Sequence, residues 1–342
     1  MSVQKMTFRP VRRRDLLLGA AALGVAGVTR PFAGRVGAAE LWQAYTYWAS
    51  PNVPAAQGFQ RAMEDVEAAL DGELKLKLNL GGSLSINMAN IGDAVGDDII
   101  QIAHDAIWDG SFPMGSLIAL PMLIQGSAEM VRVMEVMGPQ FANSYAKRGV
   151  AALGYYVYPA QVIWSRDSIA SLADLKGRKV RVGSSVQVEF MRRFGATGVT
   201  MGSSEVAAAL ERGVVDAVVT ASAGGVTAWK ELLKSSFRLP INYPVSWVIA
   251  NTQRFGALPV AAQSAIRDVI ETDMGKLTST LEEDDARLTE KFGSEGITIN
   301  PPTAADRAAA AKEMATFWVE WADAKGPEAV ALLKQVREIV RR

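Results

Sequence analysis

Residues 174–182, with the sequence DLKGRKVRV, are the part of the chain that decides the fold class. The first half predicts a helical turn that ends at Gly177, because glycine is favoured just past a helix end. The second half, KVRV, is a short run with β-branched residues, which is typical of a strand in a parallel sheet. Helical patterns follow at 186–194 and 204–212, and 217–220 is again strand-like. Strands that alternate with helices predict an α/β fold.

The same alternation extends towards the N-terminal side of this stretch. Its clearest strand is LKLKLNL at 74–80, where apolar and polar residues alternate strictly with period two. The remaining segments predicted on this side are strands at 41–48, 98–103, 150–158 and 161–165, and helices at 55–70, 87–95 and 130–147. The α/β pattern therefore reaches from residue 41 to residue 220.

The pattern changes to one long amphipathic run after Pro259. Apolar residues recur every three to four positions over 259–292, and Gly275 is the one helix-weakening residue within the run. A single helix over this range would be about 50 Å long, which is more than one compact domain needs. We therefore expect a helix that runs along two domains. Two further helices are predicted behind it, the first capped at Thr303 and the second ending at Arg341.

Composition excludes several classes of function. The 342 residues are enough for two domains of ordinary size. No cysteine is present, so a disulfide framework, a thiolate nucleophile and a cysteine-ligated zinc site are excluded. The single histidine, His104, excludes a site built from two histidines. Residues after position 39 include 29 basic and 35 acidic side chains without a basic run, which argues against nucleic-acid binding.

The N-terminus has the order of parts of an export signal. RRRDLL at 12–17 is followed by an apolar, Gly/Ala-rich stretch to Val28 and by the small residues GAA at 37–39. This order predicts a twin-arginine signal peptide over residues 1–39, with cleavage near Ala38 or Ala39. An ordinary secretory signal or an uncleaved membrane anchor is the alternative, although the stretch is shorter than the roughly 20 apolar residues that span a bilayer. Either signal predicts a protein that works outside the cytoplasm, in the periplasm.

The sequence has no motif of a known catalytic or cofactor site. Phosphate-binding loops, nucleophile elbows, HExxH, EF-hand loops and dinucleotide fingerprints are all missing from it. The acidic run at 282–285 is interpreted as a solvated helix face rather than a Ca²⁺ site. We therefore predict no metal, no cofactor and no catalysis. One enzymatic alternative is an extracytoplasmic lyase or isomerase that acts on organic acids through His104 and Asp105.

Three successive segments carry a resemblance to a known family. They are DLKGRKVRV at 174–182, FGATGVTM at 194–201 and SSEVAAALERGVVDAV at 203–218. Their order and spacing resemble the solute-binding receptors of tripartite ATP-independent periplasmic (TRAP) transporters, the C4-dicarboxylate-receptor-like family. The matching residues are Asp174, Lys176, Gly177, Lys179, Arg181, Gly195, Ala196, Met201, Ser204, Glu205, Val206, Ala209, Leu210, Gly213, Val214, Val215 and Asp216. Weaker agreement covers essentially all of residues 40–325.

The resemblance implies both a fold and a function. The implied fold is a type II-like periplasmic-binding-protein architecture: two α/β domains with an interdomain cleft, crossing strands and a long helix that bridges both. We place domain I at 40–162 plus 248–285 and domain II at 163–247 plus 286–342. The implied function is capture of a small organic acid and its delivery to a sodium-coupled membrane permease, by a monomer or a homodimer. A receptor of another transporter or of a sensor system with the same fold is the alternative.

The polar candidates for ligand binding follow from the same resemblance. Taken alone, Arg181 fits either a planar fork for a ligand carboxylate or a surface salt bridge. The resemblance places it where the family's arginine pairs with the ligand carboxylate. Family members that bind sialic acid-like acids have a second arginine at the position of Gln161, and Arg166 is a nearby substitute. Thr220 stands where the family has asparagine, and Ser222 follows two residues later.

Aromatic residues near strand ends are the remaining candidates. Strand ends in such folds open into the ligand cleft, where aromatic rings contact the ligand. Trp108, Tyr158 and Trp247 are therefore predicted to contact the ligand, with packing in the core as the alternative.

Overall fold

Two mixed β-sheets surrounded by helices form the frame of the protein. The computed structural model describes residues 39–106 and 112–342, so the predicted export signal lies outside the described residues. The strands are β1 (Glu40–Thr46), β2 (Leu74–Asn79), β3 (Ile102–Asp105), β4 (Val150–Val157), β5 (Gln161–Ser165), β6 (Lys179–Val182), β7 (Thr197–Thr200), β8 (Ala217–Thr220), β9 (Ser235–Asn242), β10 (Val245–Asn251) and β11 (Thr298–Asn300). The helices are α1 (Pro54–Ala69), α2 (Ile91–Gly96), α3 (Ser127–Ala146), α4 (Ser185–Arg193), α5 (Val206–Glu211), α6 (Thr227–Trp229), α7 (Thr252–Ala257), α8 (Val260–Ser294), α9 (Ala304–Lys325) and α10 (Pro327–Val340).

Each sheet is the centre of one α/β domain. The first has the strand order β2-β1-β3-β10-β4, and the second has the order β11-β9-β5-β8-β6-β7. β1 runs parallel to β2 and β3, whereas β10 lies antiparallel between β3 and β4. In the second sheet, β6 is parallel to β7 and β8, and β5 is antiparallel to β8 and β9. The predicted two-domain α/β fold is therefore confirmed.

The chain crosses between the sheets at two short connections. The first lies between β4 and β5, at residues 158–160, and the second lies between β9 and β10, at residues 243–244. These crossings lie a few residues from the limits predicted for the two domains at 162/163 and 247/248. β10 belongs to the first sheet although about 90 residues of the second domain separate it from β4.

The long helix α8 packs on both domains, as predicted. Its 35 residues correspond to about 52 Å. On the first domain, Gly154 of β4 lies against Ile270, where a Cβ on residue 154 would be 2.9 Å from the isoleucine side chain. On the second domain, Asp285 accepts hydrogen bonds from the Ala223 amide at 3.0 Å and from Arg238 at 3.2 Å.

The C-terminal helices also connect the two domains. Thr303 and Asp306 form the predicted capping box at the start of α9, and Asp306 also accepts a hydrogen bond from the Leu172 amide of the second domain. Further along α9, the Trp318 indole donates to the Pro121 carbonyl of the first domain at 2.8 Å. Within the described residues, no helix is both long and apolar enough to cross a membrane.

Candidate functional site

A cavity of about 110 Å³ lies between the two domains. The lining residues of the first domain and the crossings are Tyr47, Trp48, Met88, Ala106, Ala119, Tyr158, Pro244 and Ser246. Those of the second domain are Gln161, Arg181, Gly183, Ser184, Gln187, Ser203, Val219, Thr220, Gly224 and Asn242. The cavity is therefore at the position of the predicted interdomain cleft, and most of its lining surface is apolar.

Arg181 is the single charged side chain among these lining residues. It is the third residue of β6, which has β7 on one side and β8 on the other. Its side chain is buried, with 7% of the residue exposed. Burial lowers the pKa of Arg181 to about 10, so the guanidinium is still charged at neutral pH.

The guanidinium of Arg181 is held in a fixed orientation. Nε and Nη2 both donate to the main-chain carbonyl of Met201, at 3.1 and 2.8 Å. The Trp229 ring lies beside the group, with its centroid 5.9 Å from Cζ. An arginine has five N–H donors in a planar fork, so the edge formed by Nη1 and the second hydrogen of Nη2 stays available.

No carboxylate of the described residues forms a salt bridge with Arg181. Buried charges in proteins are normally paired, because removing an ion from water costs several kcal/mol. Two partly buried arginines follow that rule, since Arg193 pairs with three glutamates and Arg238 pairs with Asp285, whereas Arg267 donates to the Ala152 carbonyl instead. Arg181 therefore has the environment of a charge whose partner is a ligand.

Neutral polar groups surround the guanidinium on the second domain. Ser184 is the residue before α4, and its buried hydroxyl has no hydrogen-bond partner within the described chain. Gln187 accepts from the Gly183 amide at 2.8 Å and donates to Asn242 at 2.9 Å. Asn242 in turn donates to the Ala119 carbonyl of the first domain at 3.2 Å. This wall can hydrogen-bond a ligand, but it supplies no further charge.

The wall on the first domain is aromatic. The Tyr158 hydroxyl is the centre of a buried network: Trp48 donates to it at 2.9 Å, Tyr156 donates to it at 2.8 Å, and the Tyr47 hydroxyl lies 2.8 Å away. Because Tyr158 accepts two hydrogen bonds, its own proton is directed to Tyr47. The proton of Tyr47 is then directed to Ser246, 3.3 Å away, or into the cavity.

His104 stands at the far end of this network. It hydrogen-bonds Tyr156 through Nε2 and Thr46 through Nδ1, the latter at 3.2 Å. Burial lowers the pKa of His104 to about 3, and burial raises the pKa of the phenols of Tyr156 and Tyr158 well above 10. All three groups are therefore uncharged at neutral pH, and the wall stays neutral.

Four residues predicted from the sequence as ligand contacts line the cavity: Arg181, Gln161, Thr220 and Tyr158. Gln161 donates to the Pro159 carbonyl at 3.2 Å, and the Thr220 hydroxyl accepts from the Gly225 amide at 3.1 Å. Contact of these four residues with a ligand stays a prediction.

The structure places three other predicted residues away from the cavity. Ser222 is buried against α8, where its hydroxyl bonds Thr289 at 2.6 Å and accepts from Arg238 at 3.0 Å. Arg166 comes directly after the last residue of β5, whereas Gln161 is its first. Five residues of extended chain correspond to about 16 Å between them. Trp247 packs among Phe141, Tyr145 and Tyr155 on the other face of β10. The remaining candidate, Trp108, lies outside the described residues.

Several lining residues were missed by the sequence-based prediction. Ser184, Gln187, Asn242 and Ser246 supply polar groups to the cavity. Ser246 is the neighbour of Trp247, and adjacent residues of a strand point to opposite faces. Asn242 and Ser246 also flank the crossing at 243–244, which is a position that the architecture alone could have indicated.

Two α/β domains around a small cavity, with one buried cation that forms no salt bridge to a described carboxylate, are the features expected of a solute-binding protein. Residues 45–324 match the family described as bacterial extracellular solute-binding protein, family 7, DctP. The chain belongs to this family. The resemblance that the sequence motifs indicated is thereby confirmed.

Solved structures with the same fold include receptors from several bacteria. DctP7 of Bordetella pertussis, an extracytoplasmic solute receptor binding pyroglutamic acid, has a TM-score of 0.81 and 23% sequence identity, covering 87% of this chain and 100% of that one. A TRAP periplasmic solute-binding protein of Desulfovibrio salexigens, solved with bound orotic acid, has a TM-score of 0.79 and 23% identity, covering 87% and 98%. One from Sulfitobacter with bound β-D-galacturonate has a TM-score of 0.79 and 19% identity, covering 87% and 100%.

A similar curated protein is the uncharacterized protein YiiZ of Salmonella typhimurium. It is 26% identical to this chain over 179 residues, which are 49% of this chain and 53% of that protein. The chain thus matches that relative over about half of its length.

Proposed function

We propose that this protein is an extracytoplasmic receptor that binds a small organic acid and delivers it to the membrane permease of a TRAP transporter. The observation that carries the proposal is Arg181, a buried cation that faces the cavity and has no salt bridge to a described carboxylate. A ligand carboxylate on its Nη1–Nη2 edge would supply the missing counter-charge in a two-bond geometry.

The ligands of the similar structures support this class of solute. Pyroglutamic acid, orotic acid and galacturonate are chemically different, but each contains a carboxylate. The carboxylate is thus the group that an arginine in the cavity would recognise, and the rest of the wall would select the body of the ligand.

Binding without chemical conversion is the activity that the site supports. His104 and Asp105, the candidates for an enzymatic alternative, do not line the cavity. His104 is neutral and fully buried, and Asp105 accepts a hydrogen bond from Tyr145 at 2.8 Å. A general acid or base must reach the reacting group, and neither residue is placed to do so. The proposal includes export to the periplasm through the twin-arginine signal over residues 1–39.

A thermal-shift screen of the purified protein against organic acids tests the proposal. A ligand at a hundredfold excess over its Kd adds about 2.7 kcal/mol to the free energy of unfolding. For a chain of this size that corresponds to a rise in Tm of several degrees. We expect at least one carboxylate to raise the Tm of the wild type, and Arg181→Ala to abolish the rise.

Arg166→Ala is the matched control, because it removes the same charge from outside the cavity. Its response to the ligand should equal that of the wild type. The proposal fails if no carboxylate raises the Tm, or if Arg181→Ala responds like the wild type. Incubation of the bound acid with the protein, followed by mass analysis, should return the acid unchanged, and any product would instead support the enzymatic alternative.

A further inference from the structure

We infer that the cavity selects a ligand with a single negative charge: one carboxylate on Arg181 and a body whose other polar groups are uncharged. This inference rests on the proposed function and specifies the class of acid that the same site accepts. The distribution of charge over the described lining residues supports it.

The cavity offers one positive charge to a ligand. Of the described lining residues, Arg181 alone is charged. The segment Ile107–Ser111, which interrupts the described part of the chain, contains no basic residue in the sequence IWDGS. Arg238, the buried arginine of β9, is not a lining residue and is paired with Asp285. One carboxylate therefore neutralises Arg181, and a second one would find no cation among the described lining residues.

Binding of a second carboxylate in the cavity would cost free energy. The cavity is small and mostly apolar, so that carboxylate would lose much of its hydration. An ion transferred from water into such surroundings loses several kcal/mol unless an opposite charge compensates. Hydrogen bonds alone would have to supply that compensation, and most of the strong donors are already used.

The neutral polar groups of the cavity wall are largely engaged in hydrogen bonds within the protein. Gln187 and Asn242 bond each other and two main-chain groups, and Gln161 uses one amide hydrogen on Pro159. The aromatic wall offers the hydroxyl proton of Tyr47, which a neutral oxygen of the ligand can accept. The buried phenols keep their protons at neutral pH, because burial raises the pKa of Tyr47 and of Tyr158. Such a wall is suited to an amide, a hydroxyl or a ketone, together with an apolar body.

Matched pairs of acids test the inference at pH 7.5. Glutarate is compared with its monoamide glutaramate, and succinate with succinamate, within a broad panel of mono- and dicarboxylates. Each pair has nearly the same size and differs by one charge. We expect the acids that bind to be monoanions, and each monoamide to bind at least tenfold more tightly than its dicarboxylate in calorimetric titration.

A second cation in the cavity should change this preference. Gln161→Arg places a charge on the same wall as Arg181, so the advantage of the monoamide over the dicarboxylate should fall at least tenfold. Gln60→Arg adds the same charge on the exposed face of α1, outside the cavity, and should leave the preference unchanged.

The outcomes separate the inference from the proposed function. If dicarboxylates bind the wild type as tightly as their monoamides, the inference is wrong and the carboxylate receptor stands. If no acid of the panel binds, both the inference and the proposed function are wrong. An equal change in preference for Gln60→Arg and Gln161→Arg would show that overall charge, and not the cavity, sets the selectivity.

Discussion

The side-chain hydroxyl of Ser203 donates a hydrogen bond to the main-chain carbonyl of Tyr47 at 3.3 Å, across the boundary between the two domains. Both residues line the cavity, so this bond joins the two domains beside the cavity. Receptors of this architecture close on their ligand by a hinge movement. We therefore expect the contact between Ser203 and Tyr47 to stabilise a closed arrangement of the two domains.

Removal of that hydroxyl should speed the release of the ligand. One neutral hydrogen bond contributes about 0.5–1.5 kcal/mol, so Ser203→Ala should raise the dissociation rate by roughly 2- to 12-fold. Stopped-flow tryptophan fluorescence, with Trp48 in the wall of the cavity, measures the rate at which the acid is released. Ser204→Ala, on the exposed neighbour, is the control and should release the ligand at the wild-type rate. Equal rates for the wild type and Ser203→Ala would mean that the bond does not hold the closed state.

A lysine at position 181 should fail to replace the arginine. Lysine keeps the charge but lacks the planar fork that bonds Met201 on one edge and a carboxylate on the other. We expect Arg181→Lys to weaken binding of the acid at least tenfold in calorimetric titration. Arg192→Lys, at an exposed position of α4, serves as the comparison and should bind normally. Wild-type affinity in Arg181→Lys would show that charge alone recognises the ligand.

Arg181 and the partly buried Arg193 should respond differently to replacement by methionine in the absence of ligand. Arg181 forms no salt bridge with a described carboxylate, although the charge of Glu205 favours its charged form, so Arg181→Met removes a weakly compensated charge and should change the free energy of unfolding by less than about 1 kcal/mol. Arg193 pairs with Glu189, Glu313 and Glu320. Its loss should cost about 2 kcal/mol, less than for a fully buried pair because two of the glutamates are roughly half exposed. Urea unfolding of the ligand-free variants measures both values, and a larger loss for Arg181→Met would assign that residue a structural role.

Acid should destabilise the protein through His104. Its pKa is about 3 in the folded state against 6.5 in the unfolded chain, so the unfolded chain binds the proton between these values. The stability that the neutral histidine contributes is thus fully present above pH 6.5 and is lost as the pH falls, by about 1.4 kcal/mol per pH unit. Between pH 7 and pH 5 the wild type should lose about 2 kcal/mol more than His104→Gln, measured by urea unfolding at both pH values. The same loss in both proteins would locate the acid sensitivity elsewhere.

Much of the fold could be predicted because hydrophobic period and helix-end residues are local signals. KVRV at 179–182, the alternating run that became β2, and the long run that became α8 all formed the expected elements. The strand predicted at 98–103 is instead β3 at Ile102–Asp105. Asp98 adopts a positive φ of 61°, and its carboxylate bonds the Gln101 side chain in a turn. A short apolar run cannot reveal such a turn, because the bond that stabilises it joins two polar side chains.

The site was predicted less completely, for a physical reason. Strand β10 lies at the interior of its sheet and is buried along its whole length, so no alternation of polar and apolar residues shows which face meets the cavity. The large ring of Trp247 suggested a ligand contact, but Ser246 is the residue on that face. Arg181 could be placed because the resemblance of residues 174–182 to the family assigned it the position of the ligand arginine, whereas the residue taken alone fitted a surface salt bridge equally well.

The position of β10 also has a consequence for how the chain is made. In the first sheet, β10 lies between β3 and β4. These two strands therefore cannot be joined until residues 245–251 have left the ribosome. By then five of the six strands of the second sheet have been synthesised. Neither domain consists of one continuous segment of the chain. A nascent chain that stops before residue 245 would therefore expose the edges of β3 and β4 that β10 normally covers, and another strand could pair with them. Chaperones would therefore have to protect the nascent chain for longer than they protect a chain whose domains follow each other in sequence.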